Sequence, residues 1–197
     1  MTPAERRASA SLASIFALRL LGLFLVLPVF ALEAAKYPGG DDPARVGLAM
    51  GMDGLTQGIL QIPFGLASDR MGRKPVMIFG LVVFAVGSFL ATWAPTLDWL
   101  IAGRSLQGAG AISAAVTAML ADLTRDEVRT KAMTLVGGSI SVVFALSLVL
   151  EPLLVNLIGF GGLFTLTGLL ALAAIVAVVY WVPPEPPKLV DQSLGHV

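Results

Sequence analysis

Gly65-Leu66-Ala67-Ser68-Asp69-Arg70-Met71-Gly72-Arg73-Lys74-Pro75-Val76 is a charged turn set between two long apolar runs. Asp69, Arg70, Arg73 and Lys74 crowd into one short stretch, with Gly72 among them and Pro75 just beyond. Gly72 is free to take a left-handed backbone conformation, and Pro75 suits the opening turn of the next helix. Hydrocarbon cannot hold a run this charged, so the flanking runs end at a membrane surface. Two readings of the turn stay open: a solvated loop that obeys the positive-inside rule, or a link pinned by ion pairs.

Composition points the same way. Of 197 residues, 56% are hydrophobic and only 13% charged, with mean hydropathy +0.86. A soluble domain carries roughly a quarter charged residues, so this is a membrane protein. The formal net charge is zero and no basic run suggests a nucleic-acid partner. The chain has no cysteine, which removes disulfides, thiolate metal sites and cysteine nucleophiles together. Its single histidine, His196, lies almost at the C-terminus, so a histidine-based metal site or triad is not expected. No cofactor is implied.

A helix needs about 20 residues to cross the hydrocarbon core. That ruler predicts six transmembrane helices, at about 11–33, 45–68, 76–94, 98–122, 132–156 and 162–182. The first apolar run is longer than a signal-peptide core of roughly 7 to 15 residues and is read as a retained helix. The six form one transmembrane domain over 1–182. Residues 183–197 open with Pro183-Pro184-Glu185-Pro186-Pro187 and are read as a proline-rich tail or the start of a linker. Threaded in order, the spans put Arg6, Arg7, Arg70, Arg73, Lys74, Arg125, Arg129, Lys131 and Lys188 on one side, and only Lys36 and Arg45 on the other. Both termini and the Gly65 to Val76 turn are therefore expected in the cytoplasm.

Spans one, two, four and five each carry one deep ionisable residue: Arg19, Asp53, Arg104 and Glu151. Each buried charge costs roughly 2.5 to 3.5 kcal/mol on insertion scales, so these four are expected to face a cavity or one another. Spans three and six carry none and can face lipid, which predicts four inner and two outer helices. By depth, both Asp53 and Glu151 are candidate partners for Arg104. On span two, Gly47, Gly51, Gly54 and Gly58 form a small-residue stripe suited to close helix contact. Asp53, Gln57 and Gln61 form a polar stripe on another face, either hydrogen-bonding glue or the wall of a water-filled pathway. Span four combines Arg104 and Gln107 with Gly108 and Gly110. Pro28, Pro63 and Pro152 each lie inside a span and are expected to kink it.

The turn resembles the signature between helices two and three of the major facilitator superfamily: Gly65, Asp69, Arg70, Gly72, Arg73 and Lys74 match it, while Ala67 stands where the pattern has leucine. Arg104-Ser105-Leu106-Gln107-Gly108-Ala109-Gly110 resembles the superfamily's arginine-containing fourth-helix motif. Leu21 to Val29 is similar to the first-helix motif of its drug-exporting members. The beginning of the chain and Ala121 to Arg125 resemble one branch of bacterial drug:proton antiporters. The resemblance implies an all-α transporter of two six-helix halves, each a 3+3 inverted repeat, that alternates access around a central cavity. It implies that Arg73 meets Asp122, that Asp69 latches onto the second half at the cytoplasmic side, and that Arg104 takes part in proton coupling. The chain departs from the exporters' fifth-helix pattern at Glu151, where glycine is usual, and at Asp53, where an uncharged residue is expected. Either carboxylate could bind a proton or serve as Arg104's counter-ion.

The expected function is therefore that of half a transporter in the cell inner membrane, a proton-coupled efflux antiporter of small lipophilic molecules once paired with a second half. Arg19, Asp53, Gln57, Arg104, Gln107 and Glu151 would line the pathway. Gly65, Asp69, Arg70, Gly72, Arg73, Lys74 and Asp122 would form the latch. The partners are a small-molecule substrate, protons, the bilayer and a second six-helix half. The alternative is a truncated or degenerate half that transports nothing and serves at most as a scaffold. An enzyme is not expected: no serine has a plausible histidine, no aspartate pair shares a depth, and no metal set exists.

Overall fold

A computed structural model describes residues 1–186, and every described element is helical. The helices are α1 (Pro3–Ala34), α2 (Pro43–Met71), α3 (Arg73–Thr92), α4 (Leu97–Ala109), α5 (Ser113–Asp122) and α6 (Asp126–Trp181). Pro187 to Val197, with Lys188 and His196, lie outside the described residues, as does most of the expected tail.

Local chemistry explains where the helices begin. Thr2 caps α1 by accepting from the Glu5 N–H at 3.2 Å, and Glu5 reaches back to the Thr2 N–H at 2.7 Å, a reciprocal capping box. Asp42 caps α2 through the Ala44 N–H, and Pro43 follows at its first position. Pro28, Pro63 and Pro152 all remain inside continuous helices.

The helices do not map one-to-one onto the six expected spans. The stretch 98–122 is not one helix. It breaks at Gly110 to Ile112, where α3 crosses at its closest: a Cβ on Gly110 would lie 2.4 Å from the Gly80 carbonyl oxygen. The stretches 132–156 and 162–182 are the two arms of α6, two helices that meet at a kink at the non-helical Gly159, at φ 73° and ψ 178°. Only glycine takes those angles at little cost, so the reversal is placed by that residue. A straight helix would separate Ala132 from Ala177 by roughly 68 Å at 1.5 Å per residue. Both nevertheless belong to one buried cluster with Leu12 and Ile15 of α1, so α6 doubles back at Gly159.

The apolar interior is layered along the bundle. One layer joins Leu12, Met77, Leu120, Ala132 and Val178; the next joins Leu20, Phe84, Val143 and Ala171; the third joins Phe30, Ala91, Leu97, Phe160 and Phe164. α1 packs chiefly on α6, and α4 is clasped between α2 and α3. By length and composition, α1, α3 and α6 are apolar enough to cross a membrane. α2 is long enough, but Asp53, Gln57, Gln61 and its glycines dilute its hydropathy, and α4 and α5 are individually short.

The glycine stripe of α2 differs from expectation. Gly47, Gly51, Gly54 and Gly58 are exposed, and a Cβ on any of them would meet nothing within 4 Å. The close approach between α2 and α4 is made instead by Gly108, where a Cβ would sit 2.1 Å from the Asp53 carbonyl oxygen.

Candidate functional site

Arg19 is fully buried, Arg104 is 1% exposed, Asp53 5% and Glu151 6%. Three of these four, Arg19, Asp53 and Arg104, lie within electrostatic reach of one another, while the hydrogen bonds fall into two separate sets. Arg19 Nη2 donates to Gln57 Oε1 at 3.2 Å, tying α1 to α2. Arg104 Nη1 donates to Gln107 Oε1 at 2.8 Å and Nη2 to the Met50 carbonyl at 3.2 Å. Gln107 Nε2 donates to Ser88 Oγ at 2.9 Å, and Ser88 donates to the Phe84 carbonyl at 2.8 Å. The chain of bonds thus links α2, α4 and α3. Each guanidinium also lies over an aromatic face, Arg19 over Phe84 at 4.8 Å and Arg104 over Phe30 at 5.3 Å.

Asp53 is the carboxylate whose charge reaches both guanidiniums, although neither makes a direct ion pair with it among the described residues. Asp53 Oδ1, Arg19 Nε and Nη1, and Arg104 Nε are buried without a hydrogen-bond partner. Unmet polar atoms at this depth cost energy, and they leave the cluster able to receive water, a proton or a ligand group. Glu151 is not drawn into this cluster, and its Oε1 is likewise buried without a hydrogen-bond partner. Of the two carboxylates the sequence left open, Asp53 is the one whose charge acts on the guanidiniums. Gln61 accepts from the Ser113 hydroxyl at 3.1 Å, extending the polar face of α2 to α5.

Sequence reasoning passed over Ser88, Phe84, Phe30 and the Met50 carbonyl. Ser88 lies in a span that carries no charge, and a lone hydroxyl there can satisfy itself on its own helix, as Ser88 does on the Phe84 carbonyl. The two rings had no signal, since any phenylalanine in an apolar helix reads as packing.

At the charged turn, Gly72 has φ +103° and closes α2 by donating its N–H to the Ser68 carbonyl. Arg73 gathers three oxygens: Asp122 Oδ2 at 3.1 Å from Nε, Ser68 Oγ at 2.7 Å from Nη1, and the Asp69 carboxylate. Arg73 and Asp122, which the resemblance pairs, are thus within bonding distance; Asp69, which the resemblance directs to the second half, contacts Arg73 in this chain. Gly65 lies against Ala114 of α5. α3 has no side-chain cap from Gly72; the Glu185 carboxylate instead accepts from the Lys74 N–H at 2.9 Å. Lys74 Nζ donates to the Val182 carbonyl at 2.8 Å. The segment after α6 is thus pinned onto the turn, and the carboxylate faces the positive end of the α3 dipole. Glu185→Ala is expected to cost about 1 kcal/mol, the usual scale for losing such a cap, and to speed protease cleavage around Val182 to Pro186. An unchanged cleavage rate would show that the segment stays down without its carboxylate.

The sequence model described as Major Facilitator Superfamily matches residues 12–196. The chain belongs to the major facilitator superfamily. It is 45% identical over 197 residues to the inner membrane transport protein YajR of Escherichia coli (strain K12), covering 100% of this chain and 43% of that protein. It is 35% identical over 161 residues to the multidrug resistance protein MdtL of Klebsiella pneumoniae (strain 342), covering 72% of this chain and 41% of that one. Among solved structures, the human organic anion transporter MFSD10 (TETRAN) superposes with a TM-score of 0.82 at 22% identity, over 94% of this chain and 49% of that chain. The chain spans less than half the length of these relatives. For the superfamily fold, the buried arginines, Asp53 and the Arg73 cluster all lie within the matched residues.

Proposed function

We propose that this chain is the N-terminal half of a proton-coupled exporter of small lipophilic molecules, set in the inner membrane and completed by a second six-helix half. In this reading the chain crosses six times, α4 with α5 forming one crossing and the two arms of α6 forming two, with both ends cytoplasmic. Residues 1–182 form the membrane domain, and the proline-rich segment after it leads toward the second half. The observation that carries the reading is the buried cluster of Arg19, Asp53, Gln57, Arg104 and Gln107, because charges that deep are retained where they serve a pathway. The relative named a multidrug resistance protein supports the substrate class. The uncovered glycine stripe of α2 supports a second half packed closely against it.

In the mechanism, Asp53 balances the two guanidiniums, and Glu151, buried outside that cluster, is the group that takes up and releases the proton. The Asp69, Arg73 and Asp122 cluster acts as the cytoplasmic latch. Two measurements test this. The mass of the purified complex, with detergent subtracted, is expected to show two chains or this chain with another; a lone chain would remove the second half from the proposal. In the paired protein, Glu151→Gln is expected to abolish export driven by a proton gradient while leaving substrate binding intact. Gradient-driven export at the normal rate would remove Glu151 from the proton path.

A further inference from the structure

At the start of α1 and the start of α6 lies an open groove of about 920 Å³. Its walls are two helix faces at helical spacing: Arg6, Arg7 and Ala10 from α1, and Lys131, Leu135, Gly138 and Val142 from α6. On the α6 wall Lys131 comes first, and Leu135, Gly138 and Val142 follow one to three turns deeper; on the α1 wall Arg6 and Arg7 stand with Met1 and Pro3 near the helix start, and Ala10 follows a turn deeper. Gly138 widens the deeper part, since a Cβ there would meet nothing within 4 Å.

The cations are left over by the surrounding ion pairs. Glu5 is engaged by Arg125, with Nε to Oε1 at 2.8 Å, and Asp126 by Arg129 at 2.6 Å. Among the described residues no carboxylate pairs with Arg6, Arg7 or Lys131, and all three are exposed. A groove with an uncompensated cationic mouth and an apolar floor complements a molecule with an anionic head and a hydrocarbon tail.

We propose that this groove is a binding site for an anionic phospholipid of the cytoplasmic leaflet. The phosphate sits among Arg6, Arg7 and Lys131, and an acyl chain runs down Leu135, Gly138 and Val142. Basic pockets between helices on the cytoplasmic side suit such headgroups, and each basic residue near an anionic surface contributes roughly a fivefold preference. The proposal rests on the membrane orientation given above and leaves the transported substrate aside.

The test is native mass spectrometry of the purified chain, delipidated and then titrated with phosphatidylglycerol or phosphatidylcholine. The expected result is retention of phosphatidylglycerol over phosphatidylcholine on the order of a hundredfold, three residues at roughly fivefold each. Arg6→Gln with Arg7→Gln and Lys131→Gln should erase that preference. Gly138→Leu, whose Cβ meets nothing within 4 Å, should lower lipid occupancy with the three charges intact. Equal retention of the two lipids, or a preference that survives the triple change, overturns the proposal. So does full occupancy in Gly138→Leu, which would place the lipid elsewhere. Displacement by inorganic phosphate at comparable concentration would reassign the cations to a free anion, and displacement by an acidic peptide would reassign them to a protein partner. A chain that fails to enter lipid nanodiscs overturns the membrane reading as well, whereas one that enters without anionic preference overturns only this proposal.

Discussion

Gly108→Ala is expected to prevent α2 and α4 from packing, and to be among the most damaging single changes in the chain. The new methyl would lie 1.9 Å from Thr56 Oγ1 and 2.1 Å from the Asp53 carbonyl oxygen. The second contact is backbone, so no rotamer change relieves it and the helices must part. Thr56 also donates to the Ser105 carbonyl at 3.0 Å across this crossing, a bond that lengthens when they do. Overpacking costs typically 1 to 3 kcal/mol, and a clash this close with backbone belongs at or beyond the upper end. The expected readout is a large loss of folded protein extracted in mild detergent. Gly51→Ala is the matched control: it has open space and gains helix propensity, so the chain alone should fold at least as well. Equal yields from the two variants would show that α2 and α4 are not in this contact.

Arg104→Ala is expected to abolish proton-driven export in the paired protein. The guanidinium holds Gln107 and the Met50 carbonyl in two directions and shares the field of Asp53 with Arg19. Removing it leaves Asp53 with one cation less nearby and takes away two hydrogen bonds from a charged donor, each worth about 1.5 to 3 kcal/mol. Arg104→Lys is expected to recover little, because one ammonium on a flexible stem does not reproduce the planar, two-directional grip. Export assayed in vesicles with an imposed proton gradient checks both. Transport by Arg104→Ala at the normal rate would remove Arg104 from the coupling machinery, whatever the stability of the variant.

How far the sequence reached differs from place to place. The turn was legible because its parts are local. Gly72 and Pro75 dictate backbone angles, and four charges side by side cannot enter hydrocarbon, so a break between two helices followed from a few residues. The buried charges were legible for a related reason: an ionisable residue in an apolar run is expensive enough to demand an interior position. Their partners were not. Asp53 and Glu151 have the same chemistry and similar depth, and only the rotation of α2 and α6 about their axes decides which one acts on the arginines. The glycines misled for that reason too. A stripe at helical spacing signals a surface suited to close contact, but the contact in this chain is made by Gly108, whose neighbours come from a helix far away in sequence.

By itself, the sequence determined that the chain is helical, apolar and punctuated at Gly72, and that Arg19, Asp53, Arg104 and Glu151 belong inside. Those are matters of transfer free energy and local backbone freedom, which each residue carries with it. The tertiary structure decided the break at Gly110 under the crossing of α3, the reversal at Gly159 between the last two runs, and the placing of Asp53 rather than Glu151 within reach of the arginines. It also decided that a serine and two phenylalanines complete the arginine sites. These depend on which faces of separate helices meet, and that is set by packing among residues distant in the chain.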